Sequence, residues 1–295
     1  MATPMRVAVT GSTGLIGTAL VGQLKAEGHS VQRLVRRKPN SPEEVQWDPS
    51  AGTIDLAALE GVDAIIHLAG AGVVDKRWNT KYRATILNSL LLGTTTIANA
   101  VTTLKPKVFI SASAIGFYGE TGNRAVVETD RGGDEFLSAV CREWEAAADL
   151  AVGVRTVKIR TGLVLDPTGG ALGRILPIFR LGLGGKLGSG KQWWSWITLH
   201  DEIKAIMHCL TADISGPVNL TSPNPVTNQE FTGTLARALH RPALFPVPGF
   251  VLKILIGGFS SEILGSAKVL PKALQDSGFV WDYPHLTTAL EALTE

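Results

Sequence analysis

The sequence predicts an α/β fold, a parallel sheet covered on both faces by helices, and three observations carry that expectation. Short apolar runs rich in β-branched residues alternate with longer stretches of helical periodicity through the first half of the chain. Several of these runs, such as Ala64-Ile-Ile-His-Leu68, are apolar without alternation, as a strand buried on both faces should be. The first run passes through a glycine-rich turn into a helix and then into a second run, the order of a β-α-β unit.

Taken in order, the first strand spans Arg6–Thr10 and the turn runs Gly11-Ser-Thr-Gly14-Leu-Ile-Gly17. The helix Leu15–Glu27 is closed by Gly28, and the second strand, Ser30–Val35, ends in Arg36-Arg37-Lys38. Further strands are expected at Val45–Asp48, Ala64–Leu68, Lys107–Ala112 and Arg155–Arg160, with helices at Thr80–Thr103 and Phe136–Leu150. After Arg160 the texture changes. Glycines cluster at Gly169-Gly170 and from Gly182 to Gly190, and prolines punctuate Pro217 to Pro225 and Pro242 to Pro248. This half reads as loops, short helices and a few strands that pack on the first half and close a cleft. The expected division is a Rossmann-type doubly wound domain over 1–165, to which parts of 190–225 return, and a substrate-side region over 166–240.

Composition narrows the function classes. A hydrophobic content of 45% over 295 residues is ample for a core. A net charge of +2 gives no electrostatic argument for nucleic acid or an anionic membrane, so neither is expected as a partner. The apolar run near 250–259 is interrupted by Lys253 and by Gly257-Gly258 and is too short to span a bilayer. The first strand begins almost at once, without a basic and apolar leader, which leads to an expected cytoplasmic location. Cys141 and Cys209 lack metal-ligand spacing and read as reduced thiols, and no metal is expected.

The glycine turn points to a nicotinamide dinucleotide. Gly11 allows a sharp turn after the strand, Gly14 lets the backbone approach a pyrophosphate, and Gly17 lets the helix pack close to the sheet. Thr13, Leu15 and Ile16 complete a turn whose free N–H groups and positive dipole end face the phosphates. A glycine triplet alone is weak evidence, and a tight structural turn is the alternative; the strand before and the helix and strand behind strengthen it. An NAD site usually places Asp or Glu at the end of the second strand, whereas Val35 is followed here by Arg36 and Arg37. A guanidinium pairs bidentately with a 2′-phosphate that a carboxylate would repel, so NADP(H) is the expected cofactor. Ordinary solvated charges are the alternative for the arginines. His67, Leu68, Ala69 and Gly70 close the fourth strand and are expected, with Ser111, to run beneath the cofactor ribose; His67 is assigned no chemistry of its own.

Six segments in order carry a family resemblance. They are Thr10-Gly-Ser-Thr-Gly-Leu-Ile-Gly17, Ser111-Ala-Ser-Ala-Ile-Gly-Phe-Tyr-Gly119, Cys141-Arg-Glu-Trp-Glu145 and Arg160-Thr-Gly-Leu-Val-Leu165, then Gly182-Leu-Gly-Gly-Lys-Leu-Gly-Ser-Gly-Lys-Gln192 and Gly216-Pro-Val-Asn-Leu-Thr-Ser-Pro-Asn-Pro-Val226. The chain resembles the extended short-chain dehydrogenase/reductase superfamily, in its NAD-dependent epimerase/dehydratase branch, and within that the "epimerase family" oxidoreductases. The resemblance covers nearly the whole chain and implies that 241–295 is a small helical C-terminal extension.

In that superfamily a Ser polarises the substrate carbonyl, a Tyr exchanges the proton, and a Lys four residues later lowers the Tyr pKa and holds the ribose. Ser113 matches the Ser, with a capping hydroxyl as the plainer reading. The Tyr-x-x-x-Lys pair is absent, because Leu137 takes the Tyr place and Cys141 the Lys place. Tyr118, five residues after Ser113, is the candidate replacement acid; packing on cofactor or substrate is the alternative. Glu145 shares a helix face with Cys141 and reads as structural, and Asp201 reads as a helix cap. Nucleotide-sugar enzymes of the branch carry an Asn where this chain has Leu163 and a diphosphate-binding Arg where it has Trp194. A pocket bordered by Trp193, Trp194 and Phe117 suits a flatter, less charged ligand. The Gly182–Gly190 run reads as a lid near Lys186 and Lys191. The helices Thr80–Thr103 and Phe136–Leu150 resemble those that form a homodimer contact in the superfamily.

Three functions are consistent with these residues. The first is an NADP(H)-dependent oxidoreductase acting on a small carbonyl or alcohol, with Ser113 and Tyr118, or a bound water, at the reacting oxygen. The second is a sugar epimerase or dehydratase, and the third a non-catalytic NADP(H)-binding sensor.

Overall fold

The computed structural model describes residues 3–70, 79–250 and 264–295. Strand β1 (Arg6–Thr10) lies at the heart of an eight-stranded sheet, parallel to β2 (Ser30–Val35) on one side and to β5 (Ala64–His67) on the other. Beyond β2 follow β3 (Glu44–Asp48) and the antiparallel edge β4 (Thr53–Ile54). Beyond β5 follow β6 (Val108–Ala114), β8 (Arg155–Thr161) and the edge β12 (Gly216–Leu220). The order reverses between β1 and β5, and in open α/β sheets a ligand crevice forms at such a switch point, outside the carboxyl ends of the strands. This is the doubly wound Rossmann-type sheet that the alternating pattern predicts; the expected strands are present, with ends shifted by up to two residues.

Both faces of the sheet are covered, which explains why its strands are apolar on both sides. One face packs against α1 (Leu15–Ala26) and α5 (Leu199–Thr211), where Val7, Val9, Ile66, Ile110 and Ile159 meet Leu20, Leu24 and Ile206. The other packs against α2 (Thr80–Leu104) and α3 (Phe136–Ala148), where Ala8, Ile65 and Phe109 meet Ile97, Ala98 and Val101. Helix α2 is long and apolar enough to cross a membrane, but half of its most apolar stretch is buried inside the protein.

Beyond the sheet edge lies a second layer. There α4 (Gly170–Arg180), α6 (Asn228–Ala238) and α8 (Leu286–Thr294) enclose Leu176, Trp196, Phe231 and Leu290. Helix α6 starts with a reciprocal capping box between Thr227 and Glu230. The short strands β9 (Leu163–Asp166) and β11 (Trp196–Thr198) pair in parallel and lead the chain into that layer. Two further short ladders are β10 (Trp193–Trp194) with β13 (Val226–Thr227), inside that layer, and β14 (Lys268–Val269) with β7 (Ala125–Val126), which ties the C-terminal segment to the stretch after β6. The short helix α7 (Lys272–Asp276) packs on β12.

Two expectations change here. The glycine run is not a free lid: Phe245 N–H donates to Gly184 O (3.1 Å) and Val247 N–H to Lys186 O (2.9 Å), so it is laced to the segment after α6. A Cβ on Gly185 would sit 2.0 Å from Phe245 O, so glycine is there for close backbone approach. Asp201 is not the cap of α5. Thr198 caps it, accepting from Asp201 N–H, and the Asp201 carboxylate accepts the backbone N–H groups of Asp282 and Tyr283 (both 2.9 Å). The apolar run expected near 250–259 lies, from 251 onward, outside the described residues.

Candidate cofactor and catalytic site

The glycine turn sits at the switch point. Gly11 has φ +67°, and a Cβ there would lie 2.8 Å from the Leu68 carbonyl. On Gly17 a Cβ would lie 2.1 Å from Gly11 O, so only glycine lets α1 start against the turn. Gly14 is the N-cap of α1; no side chain caps the helix and its first turn holds no acid. Thr13 and Gly14 are exposed, so this helix end opens to solvent, with the Gly14 N–H donating to Gly11 O (3.0 Å). Leu15 and Ile16 turn inward: Leu15 lies 3.0 Å from a Cβ on Gly169, and Ile16 packs on the α1 side of the sheet. An uncapped, acid-free helix start beside two glycines that admit no side chain fits a dinucleotide pyrophosphate.

At the end of β2 the two arginines differ. Arg36 is exposed and makes no hydrogen bond or ion pair among the described residues. Arg37 clasps Glu44 through Nη1 (2.7 Å) and Nη2 (2.6 Å). Glu44 also accepts from Asn40 N–H and Arg33, and these donors, Arg37 foremost, hold its carboxyl down to about 2. Arg37 was an expected phosphate reader; its fork is already engaged by a carboxylate, which corrects that expectation and leaves Arg36 as the free guanidinium.

The floor of the crevice is set by Thr10. Its Oγ1 accepts Leu68 N–H (3.0 Å) and Ala69 N–H (3.1 Å), fixing the backbone that leads to exposed Gly70. The His67 ring faces inward. The ring is fully buried between Thr10 Oγ1 (2.8 Å) and Thr94 Oγ1 (3.1 Å), edge-on to Trp47, and burial pushes its pKa down to about 3. Ser111, paired in register with His67, is likewise fully buried and has no surface to offer a ribose. The expectation of direct cofactor contact by these two side chains is therefore corrected: they lie beneath the crevice, where the segment is expected to run, but inside the sheet packing.

Ser113 opens a buried polar chain. Its Oγ donates to Glu145 Oε1 (2.7 Å) on α3. Glu145 is clasped by Arg160 of β8, Nε to Oε1 (2.7 Å) and Nη2 to Oε2 (2.9 Å). Arg160 Nη1 then donates to Tyr118 Oη (2.8 Å), and Tyr118 donates to Asn219 Oδ1 (2.8 Å) on β12. Asn219 Nδ2 finally donates to Leu270 O (2.9 Å) in the C-terminal segment. The register explains the meeting, since Ser113 and Arg160 are direct partners on β6 and β8. Burial works against the Arg160 charge, but Glu145 and Tyr118 together raise its pKa above the ordinary value. The guanidinium also lies 3.4 Å over the Phe117 ring.

Tyr118 is thus not a poised acid. It is 3% exposed, its hydroxyl is held at both ends, and burial, opposed by Arg160, pushes its pKa up to about 12. The expected Trp-bordered pocket also changes. Trp194 packs on Phe231 in the second layer, Trp193 donates to Asn123 beneath Lys268, and Phe117 carries Arg160. Leu137 and Cys141, at the Tyr and Lys places, face Gly116 at 3.5 and 3.9 Å from a built Cβ, on the same α3 face as Glu145. Sequence reasoning missed Arg160 and Asn219 as partners. The available signal was an arginine inside an apolar strand, Val-Lys-Ile-Arg160, which a buried ion pair must explain.

On the opposite face of β8, Glu202 is fully buried. Its Oε1 accepts from Thr161 (2.8 Å), its Oε2 has no partner among the described residues, and burial pushes its pKa up to about 8. Nearby, His200, Asp201 and Asp282 place ligand atoms within 4.8 Å of one another. Their oxygens are occupied by the two backbone donors to Asp201 and by Lys204 and His200 on Asp282, a clamp on the C-terminal segment.

Comparison with known proteins follows this geometry. The NAD dependent epimerase/dehydratase family matches residues 7–221, and a domain of unknown function, DUF1731, matches residues 247–293. Epimerase family protein Mb2239 of Mycobacterium bovis is 42% identical over 291 residues, which is 97% of this chain and 96% of that protein. The crystal structure of human epimerase family protein SDR39U1, solved with NADPH, superposes with a TM-score of 0.91 at 35% identity, covering 98% of this chain and 99% of that one. A nucleoside-diphosphate sugar epimerase from Corynebacterium glutamicum superposes with a TM-score of 0.82 at 34% identity, covering 99% of this chain and 58% of that one.

Proposed function

The chain belongs to the NAD dependent epimerase/dehydratase family, within the extended short-chain dehydrogenase/reductase superfamily, and from that premise we propose that it is an NADP(H)-dependent oxidoreductase acting on a small, weakly charged carbonyl or alcohol. Its fold is the NAD(P)-binding one of that family. The observation that carries the choice of NADP(H) is Arg36, exposed and unpaired at the end of β2, where no carboxylate stands to hold ribose hydroxyls. The human relative solved with NADPH supports the same choice. The amides after Gly11 and Gly14 would hold the pyrophosphate, Arg36 the 2′-phosphate, and the backbone of Leu68, Ala69 and Gly70 would lie beneath the ribose. Bound there, the nicotinamide supplies hydride exchange.

A nucleotide-sugar substrate fits less well. Trp194, at the place of the diphosphate-binding Arg, is an indole packed against Phe231, and it offers no charge to two phosphates.

Fluorescence titration with NADPH and NADH, together with NADPH oxidation over a panel of small carbonyls, tests the proposal. Arg36→Ala is expected to weaken NADPH roughly tenfold or more and to leave NADH unchanged, since a charge-assisted phosphate contact is worth about 1.5–3 kcal/mol. Arg37→Ala is expected to weaken NADPH less than Arg36→Ala. Equal losses for the two dinucleotides would remove NADP(H) from the proposal.

A further inference from the structure

The face of α3 that would carry Tyr and Lys instead carries Leu137 and Cys141, and one helical turn further stands Glu145. Resting on the NADP(H)-linked oxidoreductase reading, we infer that Ser113 and Glu145 form the proton relay that replaces the missing pair.

The hydrogen-bond directions define the relay. A carboxylate clasped twice by Arg160 can only accept, so the single hydroxyl hydrogen of Ser113 is committed to Glu145 Oε1 at 2.7 Å. With its hydrogen committed, Ser113 Oγ has only lone pairs left to offer, and in the relay it accepts from a substrate hydroxyl. In the oxidative direction the alcohol carbon loses a hydride to the oxidised nicotinamide dinucleotide. The alcohol proton passes to Ser113 Oγ as the Ser113 proton passes to Glu145 Oε1. Carbonyl, reduced dinucleotide and a neutral Glu145 result, and the proton returns to solvent through Ser113 after release. In the reductive direction every transfer reverses, and the proton on Glu145 reaches the carbonyl oxygen through Ser113.

Arg160 has partners besides this carboxyl. When Glu145 is neutral, Arg160 keeps the Phe117 ring at 3.4 Å, Tyr118 Oη at 2.8 Å and the Glu128 carbonyl at 3.3 Å. Glu145 is buried at 7% exposure, so water does not compete for the proton. Ser113 touches the reacting oxygen and is the catalytic residue in this scheme; Glu145 acts through it and is a positioning and proton-holding residue.

Steady-state kinetics, NADPH titration and thermal melting of the full chain test the relay. Ser113→Ala is expected to lower kcat on the order of 10²-fold, with NADPH affinity nearly unchanged and a modest fall in Tm from the lost hydrogen bond to Glu145, and Ser113→Thr to recover most of the lost turnover. Glu145→Asp preserves the charge facing Arg160 but withdraws the carboxylate from Ser113; kcat is expected to fall at least about tenfold while KM and NADPH affinity stay within about threefold. Combining Ser113→Ala with Glu145→Asp is expected to cost no more than Ser113→Ala alone, because the two act as one unit. Wild-type kcat in Glu145→Asp, or losses that multiply in the double variant, would overturn the relay and leave the oxidoreductase reading standing. Wild-type protein that oxidises no NADPH with any carbonyl would overturn both.

Discussion

Two carboxylates lie buried on opposite faces of the end of strand β8, and they have been treated differently by their surroundings. Glu145, on the α3 side, receives the Ser113 hydroxyl and two bonds from Arg160. Glu202, on the α5 side, receives only the Thr161 hydroxyl among the described residues, and burial pushes its pKa up to about 8. The difference comes from adjacent residues on one strand, since Arg160 and Thr161 point to opposite faces by the period of the strand. A guanidinium on one face gives a buried ion pair that also receives the Ser113 hydroxyl, whereas a hydroxyl on the other leaves a carboxyl whose pKa burial pushes up to about 8. Burial alone thus does not give a carboxylate a role; its donors do.

The largest expected effect comes from removing the guanidinium. Arg160→Met leaves Glu145 buried without its cation, and breaking a buried pair from one side costs about 3–5 kcal/mol. Urea unfolding should report a loss of that size. A loss below about 1 kcal/mol would mean that water reaches Glu145 and that the two faces do not differ as their hydrogen bonds indicate.

The opposite face gives an effect with a distinctive pH dependence. Glu202 has a folded pKa near 8 against an ordinary value of 4.5, so the folded state binds the proton more tightly than the unfolded chain. Its contribution to stability is complete below pH 4.5 and declines as pH rises through the window from 4.5 to 8, by at most about 1.4 kcal/mol per unit. Above pH 8 both states are ionised and the decline stops. Glu202→Gln removes this decline, so it is expected to stabilise the protein at pH 8.5 by up to about 5 kcal/mol, the full window at about 1.4 kcal/mol per unit, and to change little at pH 4.5. Melting curves at the two pH values check it. A parallel shift at both would show that Glu202 is ionised in the folded protein throughout.

How much of this was legible in the sequence follows from distance along the chain. The β-α-β unit was readable because its parts are contiguous: Gly11, Gly14 and Gly17 lie within one turn, and each has a local steric reason. The expected strands were readable from apolar runs alone. The Ser113, Glu145, Arg160 and Asn219 chain was not, because its members lie on four elements and meet only through the register of β6 with β8 and of β8 with β12. Glu145 was visible as an acid on the inner face of α3, but its meaning depended on Arg160, fifteen residues away and on the far side of a loop. Arg37 shows the reverse failure. Its place in sequence was right for a phosphate, yet Glu44 on the next strand reaches it first.

Tyr118 offers the finest comparison, because it is a hydroxyl within the same chain that the sequence marks as an acid. Its Oη accepts from Arg160 and donates to Asn219, three hydrogen-bonded steps away from Ser113. Tyr118→Phe removes one donor and one acceptor but leaves the Glu145 clasp and the Phe117 stack on Arg160 intact. The buried Asn219 Oδ1 then loses a donor and Arg160 Nη1 retains only the Glu128 carbonyl, which costs about 1–2 kcal/mol of stability. Turnover is expected to change by less than about threefold, because the relay runs from Ser113 to Glu145 and not through this ring; general acid catalysis by Tyr118 would instead cost on the order of 10²-fold. A collapse of kcat with unchanged stability would therefore return Tyr118 to the reaction and place the proton path on the β12 side of Arg160, whereas lowered stability with retained turnover confines the chemistry to the two residues nearest α3.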